Sequence, residues 1–460
     1  MGSVRLGLSI PLFTASTLSI AIGTLTGLIG VWGYAAQKQV VPEWIKTGHA
    51  HSSWWSVFIL IAALVLPSLP LTSWFRKFVL ATALVCPGAW LTLGQYAHYG
   101  LGVEPAKYLM PVFEILLFLA LLGVALTASG LKVPFITEEG AKPSKYDIIS
   151  SVEVDRRVFL VPTFVTVAGV ITGFLVAAIF KSPQLPVKPA ALVQLHDHLA
   201  LMSASAIIIL LAMRALNVSE SVFRAAIRIM EIALLLVTFG LIAFVLMGVH
   251  SAIWVIPAGI YYILPVLAFL AAIGLVPKSS REDLQYIPAI RVSLALSFAI
   301  MLILVAQGAY IALVWDTNPD ITVTFKQPPN LTYPGPYPVA FLGTAPVKGM
   351  PRGLENAHLS PGSWIHVAVL WLTTLALVGP AIFEKIKRPG LLYMFLVTIP
   401  LAPLFNMMGR YLAWWPDLPP GAPAGIGALL YAGHPMKGFN IVTLFALGVI
   451  LLYIMRTEKK

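Results

Sequence analysis

Two short stretches carry the densest potential chemistry in the chain: Gly48-His49-Ala50-His51-Ser52-Ser53-Trp54-Trp55 and Leu195-His196-Asp197-His198-Leu199-Ala200-Leu201-Met202. In each, a His-x-His pair stands at the head of a long apolar run, and each histidine of the first pair returns 147 residues later. His98 and His250 lie 152 apart, Pro111 and Pro265 154 apart, and Trp364-Ile365-His366 opens a weaker third copy that keeps one histidine. A neutral imidazole offers one ring nitrogen to a metal while the other carries a proton. Successive helical residues turn by about 100°, so two rings two positions apart point to nearly opposite sides of a helix. One helix can then serve two neighbouring sites. A compact copper or zinc centre would need ligands converging from several helices, so copper is disfavoured. The competing account is anchoring in the lipid headgroup region, beside Trp44, Trp54, Trp55 and Trp254.

The elements that position these rings follow from composition. At 58% hydrophobic residues, 11% charged and a mean hydropathy of +0.87, the 460-residue chain departs far from soluble globules, whose charged fraction is about 25%. A bilayer core of about 30 Å needs about 20 apolar residues per helix. About twelve such runs occur, roughly at 8–32, 52–70, 76–97, 108–130, 157–180, 196–214, 222–248, 254–276, 288–315, 363–383, 389–412 and 436–456. The first is read as a spanning helix rather than a removed signal peptide, because no small-residue cleavage site follows it. Cys86 is the only cysteine and excludes internal disulfides and multi-thiolate metal sites.

Repeat and run count together predict an all-α polytopic membrane protein, its helices grouped as three four-helix repeats in a pseudo-three-fold arrangement. The repeats cover 1–135, 155–278 and 286–460, the third interrupted by a Pro- and Gly-rich extracytoplasmic loop at 316–361 that contains the sequon Asn330-Leu331-Thr332. Residues 131–154 link the first two repeats. With both termini cytoplasmic, 20 of the 30 basic residues fall on the inner side, as the positive-inside rule requires. The formal charge of +11 is therefore an orientation signal rather than a nucleic-acid patch.

On this topology all nine histidines lie at the outer face. His49 and His51 open the second helix, His196 and His198 the sixth and His366 the tenth; His98 and His250 close the third and seventh, while His358 and His434 lie in outer loops. Ionisable groups at membrane depth are functional candidates by default. We expect His49, His51, His196, His198 and His366 to ligate haem iron, with one or two b-type haems held between imidazoles from different helices. His98, His250 and Arg410 are expected to contact the cofactor, Arg410 by neutralising a propionate, with snorkelling to headgroups as its alternative. Glu114 is a membrane carboxylate suited to proton relay, and Glu231 is expected to pair with Arg228 at i, i−3.

Twelve helices with histidines at the outer ends of the second, sixth and tenth resemble subunit I of the haem-copper oxidase and nitric oxide reductase superfamily. The resemblance implies that His51 is the second-helix haem ligand, that His198 stands in the place of the sixth-helix copper ligand, and that His366 stands where the tenth helix binds haem. Where that family has a His-Pro-Glu-Val-Tyr type motif, this chain has Leu195-His196-Asp197-His198; where the seventh helix opens with adjacent histidines, it has Ser221-Val222-Phe223-Arg224. The layout is also similar to membrane b-type cytochrome subunits of archaeal respiratory chains. The expected function is electron transfer in the cell membrane between a quinol and an extracytoplasmic cytochrome or other redox protein, within a complex of several subunits. The alternatives are a terminal oxidase or nitric oxide reductase with an atypical site, and a transporter with structural histidines.

Overall fold

Apolar runs of this length can satisfy their backbone groups inside a bilayer only by closing them within a helix, and they do so here. The computed structural model describes residues 2–30, 42–86, 92–179, 189–247, 249, 252–314, 352–413 and 423–457. In chain order the elements are β1 (Ser3–Ser9), α1 (Ile10–Leu28), α2 (Glu43–Val65), α3 (Ser73–Leu84), α4 (Thr92–Gln95), α5 (Ala106–Ala128), β2 (Asp147–Asp155), α6 (Arg157–Ile179), α7 (Pro189–Ala215), α8 (Glu220–Met247), α9 (Ala252–Tyr261), α10 (Ile263–Ala272), α11 (Ile287–Val314), α12 (Arg352–Lys385), α13 (Gly390–Ala413) and α14 (Pro423–Thr457). About 79% of the structure is helical. Among the described residues, eleven helical segments are long and apolar enough to cross a membrane, and the architecture is that of a polytopic α-helical membrane protein.

Burial sorts these helices. Within its spanning window α12 is 89% buried, and α2 and α7 are each 72% buried, against 33% for α8. The peripheral helix turns Ile232, Leu235, Leu236 and Phe239 outward, a lipid-facing stripe at helical spacing. The helices α2, α7 and α12, which carry His49, His51, His196, His198 and His366, have the most buried spanning windows among the described residues, and each touches the other two.

Several boundaries differ from expectation. The run 76–97 contains only the 12-residue α3, residues 87–91 outside the described set, and α4, which leads into a π turn at Tyr96–Gly100. The run 254–276 breaks at Tyr262 between α9 and α10. Pro265 lacks the N–H that would bond the carbonyl of Tyr261, which ends α9 there. Residues 352–361, assigned to the outer loop, belong to α12 and include His358; α14 likewise begins before His434, placing that histidine in a helix rather than a loop. Most of the 316–361 loop, Asn330 included, lies outside the described residues.

Two strands were not anticipated. β1 and β2 pair antiparallel, Val4 opposite Val154 and Arg5 opposite Glu153, with a register shift between Arg5 and Gly7. Val4, Leu6 and Leu8 point inward, as do Val152 and Val154. A period-2 pattern this short is inconspicuous beside 20-residue apolar helices. Each strand runs directly into the first helix that follows it, so the ribbon ties the start of α1 to that of α6. The 131–154 link is therefore a structural element in its second half. Beneath it, Arg76 Nη1 meets the buried carboxylate of Asp147 at 3.4 Å and donates from Nη2 to the Leu69 carbonyl at 2.7 Å. Burial pushes the Asp147 carboxyl up from its ordinary value, opposed by the Ser144 N–H and by Arg76.

Glu231 also takes a different partner. Arg157, at the start of α6, donates from Nε to Glu231 Oε1 at 3.0 Å and from Nη2 to Oε2. The bidentate fork across helices displaces the expected pairing with Arg228, because guanidinium and carboxylate match best when two parallel bonds form.

Replacing Glu231 by Ala is expected to lower stability by about 1–2 kcal/mol, since it removes a bidentate charged hydrogen bond that is only partly shielded from solvent, whereas Arg228→Ala stays within about 0.5 kcal/mol; thermal unfolding in detergent micelles measures both. At the ribbon, a Cβ added at Gly7 would run into the Ile148 carbonyl and stand 3.2 Å from Pro67 Cβ. Gly7→Val should therefore lower the melting temperature clearly, while loss of the exposed Arg5–Glu153 pair in Arg5→Ala costs at most about 1 kcal/mol.

Candidate functional site

The site begins with a helix carbonyl left uncovered. In α1 the sequence Gly23-Thr24-Leu25-Thr26-Gly27 removes the side chain four residues beyond Gly23, and the carbonyl of Gly23 lies 2.7 Å from Nδ1 of His49. A carbonyl can only accept, so Nδ1 carries the proton and Nε2 carries the lone pair of the neutral ring. The ring seats on Gly27: a Cβ there would fall 2.6 Å from Nδ1 and 2.8 Å from Cε1 of His49.

The second pair repeats this arrangement. His196 Nδ1 donates to the carbonyl of Gly169 at 2.7 Å, and a Cβ on Gly173 would lie 2.7 Å from Cε1 and 2.8 Å from Nδ1 of His196. α6 carries Gly169-Val170-Ile171-Thr172-Gly173, the same small-residue spacing as α1. His366, 6% exposed, also places Nδ1 on a glycine carbonyl, that of Gly362 within its own helix, at 2.7 Å. Three histidines on the three most buried helices thus share one tautomer. A histidine that donates Nδ1–H to a backbone carbonyl presents the ring orientation and the Nε2 donor typical of metal-ligating imidazoles.

The other member of each pair turns the opposite way. His51 Nε2 stands 3.7 Å from Glu114 Oε1 of α5, and the same oxygen accepts the indole N–H of Trp55 at 3.1 Å. His198 meets Trp254 of α9 edge-on, ring centroids 5.2 Å apart, and the buried Nε1 of Trp254 has no hydrogen-bond partner. Each His-x-His helix therefore sends its first ring to the helix before it and its second to a later one. The Asp197 carboxylate lies within electrostatic reach of His196, His198 and His51, which brings the two pairs into one polar neighbourhood. Glu114, expected as a membrane carboxylate, is thus a second carboxylate beside the pairs, in addition to Asp197. Among the described residues, no three His, Cys, Asp or Glu side chains gather as a metal-ligand group.

Family models, curated proteins and solved structures give no match to this chain. What the site can do rests on its own residues.

α12 departs from α2 and α7. Trp364 occupies the place of His49 and His196, and Nζ of the fully buried Lys437 lies 4.8 Å over its ring, a cation–π arrangement. Lys437 is also within electrostatic reach of His49. Nearby, Asn406 contacts His434 Nε2 at 3.3 Å, and Asn440 accepts the Thr398 hydroxyl at 2.7 Å. His98 sits half-buried in the π turn at Tyr96–Gly100, which packs against α2. His250 and the side chains of His358 and Arg410 lie outside the described residues. Sequence reasoning missed the glycine seats, Lys437 and the Glu114 partners. The seats had a readable signal, a Gly-x-x-x-Gly in the helix preceding each pair.

Trp55 is 8% exposed, so Glu114→Ala leaves its indole N–H without this acceptor at a cost of about 1–3 kcal/mol. Trp55→Phe in the same background should recover part of that loss, and a double-mutant cycle of melting temperatures reads the coupling.

Proposed function

We propose that this protein is a membrane b-type cytochrome subunit of a respiratory chain, carrying electrons near the extracytoplasmic face between a quinol and an external redox partner. The reading rests on one observation: on the three most buried helices His49, His196 and His366 commit Nδ1 to a glycine carbonyl at 2.7 Å. This donor set fits haem, whose iron takes axial imidazole and whose potential follows from ligands and low-dielectric surroundings. When bound, haem supplies the one-electron chemistry.

The chain's own residues do the rest. Glycine carbonyls fix the tautomer and orient the rings; Trp254 packs edge-on against His198, and Trp55 and His51 share the Glu114 carboxylate; the buried helices α2, α7 and α12 keep water from the site. In this reading the helices form three four-helix repeats with pseudo-three-fold symmetry, and the ribbon end is cytoplasmic. The chain is then a divergent relative of the haem-copper oxidase and nitric oxide reductase superfamily, with axial ligands drawn from His49, His51, His196, His198 and His366.

A second reading has an observation of its own. The same bonds fasten α1 to α2 and α6 to α7, as structural histidines in a transporter would.

Purified from cells supplied with haem, the protein should show b-type bands in its reduced-minus-oxidised spectrum, and these should vanish when His49, His51, His196 and His198 are all replaced by Ala. A colourless wild-type protein would refute the cytochrome reading and leave the structural one.

A further inference from the structure

At the ribbon end, where α8 enters its spanning segment at Glu220, a cavity of about 210 Å³ opens between ribbon and helix, lined by Ser3, Asp155, Arg214, Glu220, Phe223 and Arg224. At about 30 Å³ for each water-sized group, it has room for roughly seven.

Its walls carry both signs of charge. Arg214 is committed within the fold: it donates to the Glu153 carbonyl, pairs with Glu220 Oε1 and lies over the Phe223 ring. Asp155 Oδ1 accepts the Arg157 backbone N–H at 2.9 Å. Among the described residues the second oxygens, Asp155 Oδ2 and Glu220 Oε2, accept no hydrogen bond. The carboxylates Glu153, Glu220 and Glu231 pair with Arg5, Arg214 and Arg157, which leaves Arg224 and Arg228 as the uncompensated cations of this corner. Both are exposed, and Arg224 spends only Nε, on the Glu220 carbonyl at 3.3 Å.

Every fourth residue of a helix advances by about 40° around its axis, so Arg224, Arg228 and Ile232 form one row. It runs into the outward stripe of Leu235, Leu236 and Phe239. Through Arg224 the charged cavity therefore adjoins two guanidinium groups and then an apolar face suited to acyl chains.

We infer that this corner binds an aminophospholipid. The phosphate lies on Arg224 and Arg228, whose planar forks match its oxygens. The primary ammonium, with three N–H donors, enters the cavity and donates to Asp155 and Glu220, while the acyl chains follow Ile232, Leu235 and Phe239. A choline headgroup carries the same charges but no N–H, and a glycerol headgroup carries no cation. The site stands whether or not the protein binds haem.

The test titrates delipidated full-length protein in detergent with phosphatidylethanolamine, its N-methyl and N,N-dimethyl forms, phosphatidylcholine and phosphatidylglycerol, counting bound lipid by native mass spectrometry. Phosphatidylethanolamine should bind about tenfold more tightly than phosphatidylcholine, as one charge-assisted hydrogen bond provides, with the methylated forms between them. Asp155→Asn, which keeps the acceptor for the Arg157 N–H, should remove most of that preference. Arg224→Gln combined with Arg228→Gln should weaken both lipids alike, and Lys132→Gln, at an exposed pair on the 131–154 link, should change neither. Equal affinity for the ethanolamine and choline headgroups, tighter binding of phosphatidylglycerol, or affinities unmoved by the double arginine variant would each overturn the inference. So would soluble glycerophosphoethanolamine that competes as well as the lipid, since the site would then serve a water-borne phosphate ester. The headgroup series needs only the wild-type protein, so it decides even where a variant fails to fold.

Discussion

The interaction on which the arrangement depends is a second hydrogen bond to a helix carbonyl that already serves its own helix. A backbone carbonyl has two lone pairs, and in a helix it points toward the residue four positions on, whose side chain normally covers it. Glycine at that position leaves the oxygen accessible from outside. Gly23 with Gly27 and Gly169 with Gly173 meet this requirement, and the imidazole that occupies each opening joins two helices through a polar bond. Inside a bilayer, where apolar contact between helices competes with equally apolar lipid, close approach of small residues and interhelical hydrogen bonds supply much of the association. The seat therefore contributes to packing and fixes a tautomer in the same contact.

Much of this was open to reading from the sequence, and what was not has a physical reason. Two His-x-His pairs at a constant offset and their divergence around a helix follow from spacing alone. The direction of that divergence does not, because it depends on which neighbour lies on which side. Glu114 is 63 residues from His51, and nothing local links them; only the packing of α5 against α2 brings carboxylate, imidazole and indole together. The glycine pairs were visible as letters among 35 glycines, but their meaning appears only when a ring is seen resting on each. Lys437 lay on the outer side of a charge count that served orientation, which hid its burial against Trp364.

The ribbon shows a related limit. Hydropathy finds segments that need about 20 apolar residues, and a seven-residue strand adjoining such a segment merges with it. Yet Ser3 Oγ, at 2.6 Å from Glu153, the inward valines and Gly7 are ordinary strand features once the partner is known. Joining the starts of α1 and α6 fixes the end of each glycine-bearing helix opposite the histidines. The height at which each helix offers its carbonyl is then set from the far end. The ribbon and the seats thus belong to one mechanical unit although they share no residue.

α12 shows what the packing of a central helix requires at this place. There an indole fills the place of the first imidazole, an ammonium covers it, and α12 is nonetheless the most deeply buried of the three helices. Deep central burial therefore does not require an imidazole at that place, since Trp364 serves in α12. What His49 and His196 add at that place is a hydrogen bond to a glycine carbonyl of the preceding helix, which joins two helices through a polar contact.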